Sequence, residues 1–533
     1  MKMKFIKYSS FCVAALLLSS GCTKNFEDIN TNPASYNQAN FNPNYILTNA
    51  QLGYTGSSDF AYDTWRANLI YASTMMQGFS SVMGYWAGDK YALNPDYTAA
   101  YWMNDNGAVG AYPEQVKFVV DLVQSTAGKP QYNNIHQVGR IMKALIMERI
   151  TDLYGDVPYF DAGMGYYNGN FTPKYDAQSL IYADMLKEVE EAVAALNVDG
   201  GDKITGDAIY NGDINKWKRF GNTLILRMAM RLVKVDENLA KSYVQKVVDK
   251  TMLNNLDNAF LKGDVAGART TQNRNSQILL GDGGPESYYV KWSDTFINKL
   301  KASSDPRLSK VAVTQIYLSE GDKNQNSSYK TDPSAQKGMP NGKDLSGIAG
   351  RDIRQDASFT DFADYSSPNP AMIKRDGNTF ILTYAESELL LAEAAQRWGI
   401  GGTASEHYNK GVKAAMTFLT QYDASIAISE ATADAYLASN PYVAANGLEQ
   451  INTQYWIHTN TMLDFYESWS NWRRSGFPVL TPVVHPTGVT SGAIPRRFPY
   501  PAYEETTNAA NYRAASAAVP GGDKLTGKVW WDK

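Results

Sequence analysis

Apolar residues in this chain recur at helical spacing, and the stripes come in pairs. Ile135, Val138, Met142, Leu145, Ile150 and Leu153 follow one another at steps close to three and four. Ile181, Met185, Val189, Ala192 and Leu196 repeat the pattern, with Lys187, Glu188, Glu190 and Glu191 on the other side. A helix with one apolar stripe is stable in water only when the stripe is covered, so each predicts a neighbour. Residues 215–233 with 237–250 form a second candidate pair. Residues 380–398 with 404–419 form a third, parted by Gly399, Gly401 and Gly402. The Ala-rich stretch 385–395 is apolar nearly all round, which predicts a helix sandwiched between others.

Helix pairs of this kind resemble tetratricopeptide repeats, yet their spacing departs from the regular period of about 34 residues. A plain repeat array is thereby excluded. The fold class expected is mainly α, with tetratricopeptide-like helix pairs packed against an irregular, loop-rich half. The irregular segments are expected at 54–134, 251–379 and 420–533, which are rich in Gly, Asn, Ser, Pro and aromatics. There is no βαβ rhythm, no G-x-G-x-x-G after a strand and no phosphate-binding G-x-x-x-x-G-K-[ST]. Nor are there ten-residue alternating segments of an outer-membrane barrel.

The chain has two cysteines, Cys12 and Cys22, and four histidines, His136, His407, His458 and His485. Beyond residue 22 this excludes a disulfide scaffold, a Cys-ligated zinc or iron–sulfur site and a catalytic thiol. No two histidines stand at a metal-ligating helical spacing. Both cysteines lie in MKMKFIKYSSFCVAALLLSSGC, residues 1–22. Lys2, Lys4 and Lys7 make its positive start, Phe11–Leu18 a short apolar run, and small residues precede Cys22, the signature of an export signal. The run is too short for a bilayer, which takes about 20 residues. Gly21-Cys22 resembles a bacterial lipobox, with Ser19 where that motif most often has Leu. The competing reading is an ordinary secretory signal with a chance cysteine. The expected plan is a signal peptide at 1–21, a lipidated Cys22 with a flexible tether through residue 44, and one large domain at 45–533. Cleavage before Cys22 would take 50 basic residues to 47 against 54 acidic, a mature charge of −7. That balance disfavours nucleic acid and polybasic attachment to anionic lipid. No later stretch is apolar enough to span, so the lipid would be the only anchor.

Three segments together carry a family resemblance: GCTKNFEDINTNP at 21–33, RITDLYGDVPYFDA at 149–162, and a carboxy-terminal set. That set is WSNWRRSGFPVL at 469–480, IPRRFPYPAYEETTN at 494–508 and VWWDK at 529–533. With TYAESELLLAEAA at 383–395 they are similar to the SusD/RagB family of outer-membrane nutrient-binding lipoproteins, in its SusD-like branch. The resemblance implies a SusD-like α/α architecture and capture without chemistry. It also implies a cell-surface position over a SusC-like TonB-dependent barrel, to which a glycan, or in some branches a peptide, is handed. No catalytic residue, metal ligand or cofactor is expected. A calcium ion could still sit on a carboxylate- and carbonyl-rich loop such as 197–207, although the 12-residue calcium-loop pattern is not met there.

The same segments have structural readings. Tyr154-Gly155-Asp156-Val157-Pro158 reads as a helix stop, because Gly155 accepts positive φ and Pro158 disfavours helical backbone at Val157. Asp152 and Asp156 could pose as an acid pair but suit a capped turn better. Arg473 and Arg474 beside Trp469 and Trp472 predict guanidinium stacking or carboxylate pairing. Glu386, Glu388 and Glu393 are expected to pair with arginines.

The composition adds 35 Tyr and 11 Trp against 19 Phe, rings with a flat apolar face and a polar edge. Sugar rings present C–H faces to such rings, so a binder should gather them in irregular segments. Residues 85–104 hold Tyr85, Trp86, Tyr91, Tyr97, Tyr101 and Trp102 with Asp89, Asn94 and Asn104. Residues 286–292 hold Tyr288, Tyr289 and Trp292. The candidate ligand contacts are Tyr85, Trp86, Tyr91, Tyr101, Trp102, Asn104, Tyr288, Tyr289 and Trp292, with Cys22 as lipidation site. The competing reading is that these rings pack the irregular half or meet the barrel. Rival functions are peptide capture, a lipid-anchored glycosidase needing two carboxylates about 5–10 Å apart, and a periplasmic solute-binding lipoprotein, which the missing βαβ rhythm opposes.

Overall fold

The structure, a computed structural model, describes residues 41–282, 284–322 and 324–533. The export signal, Cys22 and the tether as far as residue 40 lie outside the described residues. Helices of ten or more residues in the first half are α1 (Pro43–Tyr54), α2 (Thr64–Ser73, wound more widely than an α-helix), α3 (Lys117–Thr126), α4 (Asn133–Tyr154), α5 (Gln178–Ala195), α6 (Ile214–Arg231) and α7 (Glu237–Val247). In the second half they are α8 (Tyr384–Trp398), α9 (Ala404–Thr417), α10 (Glu430–Ser439), α11 (Gly447–Met462), α12 (Phe465–Ser475) and α13 (Ala509–Ala518). The mainly α architecture expected from the periodicity is the one observed.

The periodic stripes make the predicted pairs. Helix α4 packs on α5, α5 on α6, α6 on α7, and α8 on α9. Ile135, Val138, Met142, Leu145, Ile150 and Leu153 are all buried, as are Ile181, Met185, Val189 and Ala192 facing them. Helix α4 ends where Gly155 takes φ 88° and its amide returns to Thr151 O. Across the turn, Asp156 Oδ1 accepts from the Gln178 amide at 2.8 Å and so caps the start of α5. Asp152 faces Arg231, Tyr182 and Trp531 instead, so the two aspartates serve different partners.

Two expectations need correction. Residues 380–382 are not the first turn of the third pair but the end of a strand. Six short strands, β1 (Phe79–Ser81), β2 (Ala259–Lys262), β3 (Val290–Trp292), β4 (Ala312–Val313), β5 (Ser367–Pro368) and β6 (Asn378–Leu382), pair antiparallel as β1–β3, β2–β6 and β4–β5. Helix α8 starts after Thr383, whose hydroxyl accepts from the Glu386 amide while the Glu386 carboxylate accepts from the Thr383 amide at 2.9 Å. This reciprocal cap fixes the strand-to-helix boundary. Second, residues 420–533 are not mainly irregular, since α11 and α12 lie within them, buried against α8 and one another. Their stripes escape an apolar count because α11 buries Asn452, Gln454, His458, Thr459, Asn460 and Thr461. Partners inside the fold hold several of them: Asn452 Nδ2 donates to Glu393 at 3.1 Å, and Gln454 Nε2 to Tyr436 Oη at 3.1 Å.

Where helices from both halves meet, the core is ionic. Arg227 of α6 donates to both oxygens of Glu148 of α4, at 3.2 and 2.7 Å, and lies 3.5 Å from Glu386 of α8. Arg231 bonds Asp152 and Glu467. Arg474 of α12 grips Glu393 of α8 at 2.7 and 2.6 Å, both side chains fully buried. Glu386 and Glu393 thus pair with arginines as expected. Glu388 does not; it faces His407 Nδ1 at 2.6 Å. Arg473 lies 4.4 Å over Trp469 and 4.7 Å over Trp531, the predicted stacking. Burial pushes the carboxyls of Glu148 and Glu386 up to about 7 against the pull of Arg227. Unpaired, each charge would cost several kcal/mol at this depth, so the network fixes the relative register of four helices. No helix among the described residues is long and apolar enough to cross a membrane.

Candidate functional site

The pairing of β1 with β3 sets Phe79 opposite Trp292 and Ser81 opposite Val290. It thereby draws the segment after β1 against the short helix before β3, Glu286–Tyr289, joining the two aromatic segments singled out in the sequence. Glu286 is their common partner. Its Oε1 accepts from Tyr85 Oη at 2.7 Å and from Trp65 Nε1 at 3.0 Å. Trp65 and Tyr85 meet edge to face with centroids 6.4 Å apart. Phe60 extends the row beyond Trp65 at 5.8 Å, and the Arg269 guanidinium lies 4.5 Å over Phe60. Arg66 lies 3.7 Å over Tyr62 and 5.3 Å over Tyr97.

At the other end of the same short helix, Tyr289 packs edge to face on Tyr288 and Phe362. Its hydroxyl donates to Glu320 at 2.8 Å, and that of Tyr288 to Asp361 at 3.1 Å. Each tyrosine is thus oriented by a carboxylate. Burial first, then the neighbouring Glu286, raises the Tyr85 hydroxyl, which stays a neutral donor at physiological pH. Tyr85 is 37% exposed, and Trp65, Tyr97 and Tyr289 are half-buried. Glu286 Oε2 has no hydrogen-bond partner among the described residues. Glu286 is sealed from solvent, and a Cβ at Gly284 would lie 3.0 Å from that oxygen and 3.9 Å from Tyr85 Oη, so a glycine packs closely over the carboxylate. The arrangement is a wall of rings whose polar edges are fixed by carboxylates, suited to a hydroxylated ring with apolar faces.

The remaining predicted contacts go elsewhere. Trp86, Tyr91, Tyr101 and Trp292 are sealed in the core and turn no face to solvent. Trp292 stacks on Phe296 at 4.4 Å and donates to Val311 O at 3.0 Å. Tyr91 Oη accepts from the Val483 amide, and Tyr101 packs on Tyr466. Asn104 Oδ1 accepts from the Ala108 and Val109 amides and closes a turn. Tyr288 is 7% exposed and supports Tyr289. Trp102, 2% exposed, lines a separate cavity. The two aromatic segments of the sequence do meet, but rings of equal composition fill the core beneath them. Trp65, Phe60, Glu286 and Arg269 were missed: Trp65 and Phe60 stand outside the densest run, and nothing local marks Glu286 as a hub.

No group of three or more His, Cys, Asp or Glu side chains among the described residues is placed to hold a metal. The fold is a helical scaffold that presents a partly exposed wall of aromatic rings. The sequence model of the SusD-like family described as "Starch-binding associating with outer membrane" matches residues 36–501. A chitin-binding protein of known structure is 32% identical, with TM-score 0.77, over 92% of this chain and 100% of its own. A Bacteroidetes AC2a SusD-like protein (24% identity, TM-score 0.78, 92% and 100% coverage) and a chitin-binding SusD homolog from Flavobacterium johnsoniae (24%, 0.72, 92% and 98%) share the fold. A search of curated protein sequences returns no match. The chain belongs to the SusD-like family of outer-membrane-associated proteins.

Proposed function

We propose that this protein captures a neutral glycan at the cell surface and delivers it to a SusC-like TonB-dependent barrel. The observation that carries the reading is the Trp65–Glu286–Tyr85 constellation, with Tyr289 on the same short helix. Ring faces stack on the C–H surfaces of a sugar, while the tyrosine edges, held in place by the buried Glu286, meet its hydroxyls. Of the predicted contacts, Tyr85 and Tyr289 are retained, and Trp65 joins them. Family membership, and the 32% identical chitin-binding protein, favour a polysaccharide fragment as ligand. Cys22 carries the lipid anchor, and the protein faces outward on the outer membrane. The reading includes no catalysis: Glu286, Glu320 and Asp361 each accept a tyrosine hydroxyl and orient rings. Glycoside hydrolysis needs two carboxylates working on either side of one bond.

Titration calorimetry of the purified protein against malto- and chito-oligosaccharides and against peptides tests this. Saturable binding of a neutral oligosaccharide, lost in Trp65→Ala, is the expected result. Binding of peptides alone would replace the glycan with a peptide, and release of reducing ends by the protein alone would make it an enzyme.

A further inference from the structure

A cavity of about 370 Å³ opens between the Trp102 region, the loop 158–173 and the short helix Glu504–Thr507, and Trp65, Tyr85, Glu286 and Tyr289 are not among its lining residues. We propose that it is a second saccharide site, taking one neutral sugar residue and rejecting uronic or sulfated ones. The proposal rests on the glycan reading above. The volume sits at the low end of the roughly 300–1,000 Å³ typical of small-molecule sites, which suits a single ring.

Its walls are aromatic and held in place. Trp102 is clamped between Tyr112, 4.8 Å away, and Tyr175, stacked at 5.7 Å and 28°. Tyr112 is tied to Pro158 O at 2.9 Å. At the rim, Phe171 leaves 80% of its surface in water. Its ring rests against the Gly165 backbone, where a Cβ would come within 2.7 Å of a ring carbon, so the glycine gives the ring its seat. A phenylalanine kept this exposed and this well seated has the geometry of a stacking platform. Around it in the same loop, Phe160, Tyr166 and Tyr167 are also exposed.

The polar lining fixes the ligand's charge. Asp161 accepts from Asn170 at 3.3 Å, and Glu504 Oε2 from Tyr175 Oη at 2.8 Å, which leaves each carboxylate acceptor capacity for a sugar hydroxyl. Asn508, anchored through its Nδ2 to Pro173 O at 2.7 Å, closes the far side. Among the described residues, no lysine, arginine or histidine lines the cavity. Two carboxylates without a cation repel an anionic sugar and impose no penalty on a neutral one.

Calorimetry of the purified full chain with chito- and malto-oligosaccharides, repeated with oligogalacturonate, tests the proposal on wild type, Phe171→Ala and Tyr85→Ala. Phe171 buries little, so its truncation should leave the melting temperature in place. Two classes of site are expected for the neutral ligand. Phe171→Ala should weaken one at least tenfold and spare the other, and Tyr85→Ala should do the reverse. A single site, lost in Tyr85→Ala and unmoved by Phe171→Ala, would overturn the second site and keep the glycan reading. No neutral saccharide bound by wild type would overturn both. Oligogalacturonate bound as tightly at the Phe171-dependent site would overturn the charge argument. Phe171→Ala that loses a co-purifying barrel while keeping glycan stoichiometry would give the patch to a protein contact and overturn the proposal.

Discussion

The Tyr85 hydroxyl donates to Glu286 across 201 residues of sequence, at 2.7 Å, and Trp65 shares the same carboxylate oxygen. One buried glutamate therefore sets the distance between two rings that no local structure holds together. Glu286→Gln keeps the shape but can no longer accept both donors as an anion. It is expected to weaken glycan binding about tenfold, with a smaller loss for Tyr85→Phe, both read by calorimetry. Trp65→Ala removes both ring and donor and should cost more, on the order of 2 kcal/mol.

Stability should depend steeply on acid through Glu393. Burial alone pushes its carboxyl up, but Arg474 and Arg397 outweigh burial and hold it at about 2. A carboxyl depressed from its unfolded value of 4.5 stabilises the fold above that value and loses the contribution as pH falls from 4.5 toward 2. The contribution is on the order of 3 kcal/mol. Urea denaturation between pH 6 and pH 3 should show it, and Glu393→Gln should flatten the slope while lowering stability at pH 7 by about 3–5 kcal/mol. An unchanged slope in that variant would assign the acid sensitivity elsewhere.

The α8–α9 contact is closed by a glycine. A Cβ on Gly411 would fall 2.8 Å from Leu389 Cγ and 3.1 Å from its backbone nitrogen. Gly411→Ala gains about 1 kcal/mol of helix propensity but pays about 1–3 kcal/mol for overpacking. Net destabilisation is expected, by about 1 kcal/mol, and a higher denaturation midpoint would refute it.

Thr383→Ala removes the reciprocal cap of α8 and also the contact with His458 Nε2 at 2.7 Å. The expected loss is about 1–2 kcal/mol. Thr383→Ser, which keeps the hydroxyl, should recover most of it, by the same denaturation assay.

For the anchor, Cys22→Ala expressed in a host that lipidates lipoproteins should lose its acyl label and leave the membrane fraction. Retention of either would point to a different attachment.

How much of this was legible in advance follows from the range of each interaction. The stripes of α4, α5, α6 and α7 and the stop at Gly155 are local, because a 3.6-residue period and a positive φ are properties of a few neighbours. Those features, with the dispersed family segments, were enough to place the helix pairs and the family. The strand at 378–382 was not legible, since its reason is β2, more than a hundred residues earlier. Helices α11 and α12 were hidden because polar residues interrupt their buried apolar stripes, several of them paired with side chains of other helices.

Sequence alone thus determined that this chain makes paired helices, carries no thiol chemistry past residue 22 and concentrates amphipathic rings near residues 85–104 and 286–292. Only tertiary structure decided which rings face water. Tyr85 and Trp86 are adjacent and similar in composition, yet one is 37% exposed and the other fully buried. Burial is a sum over neighbours brought in by the fold, and neither residue carries that sum in its own identity.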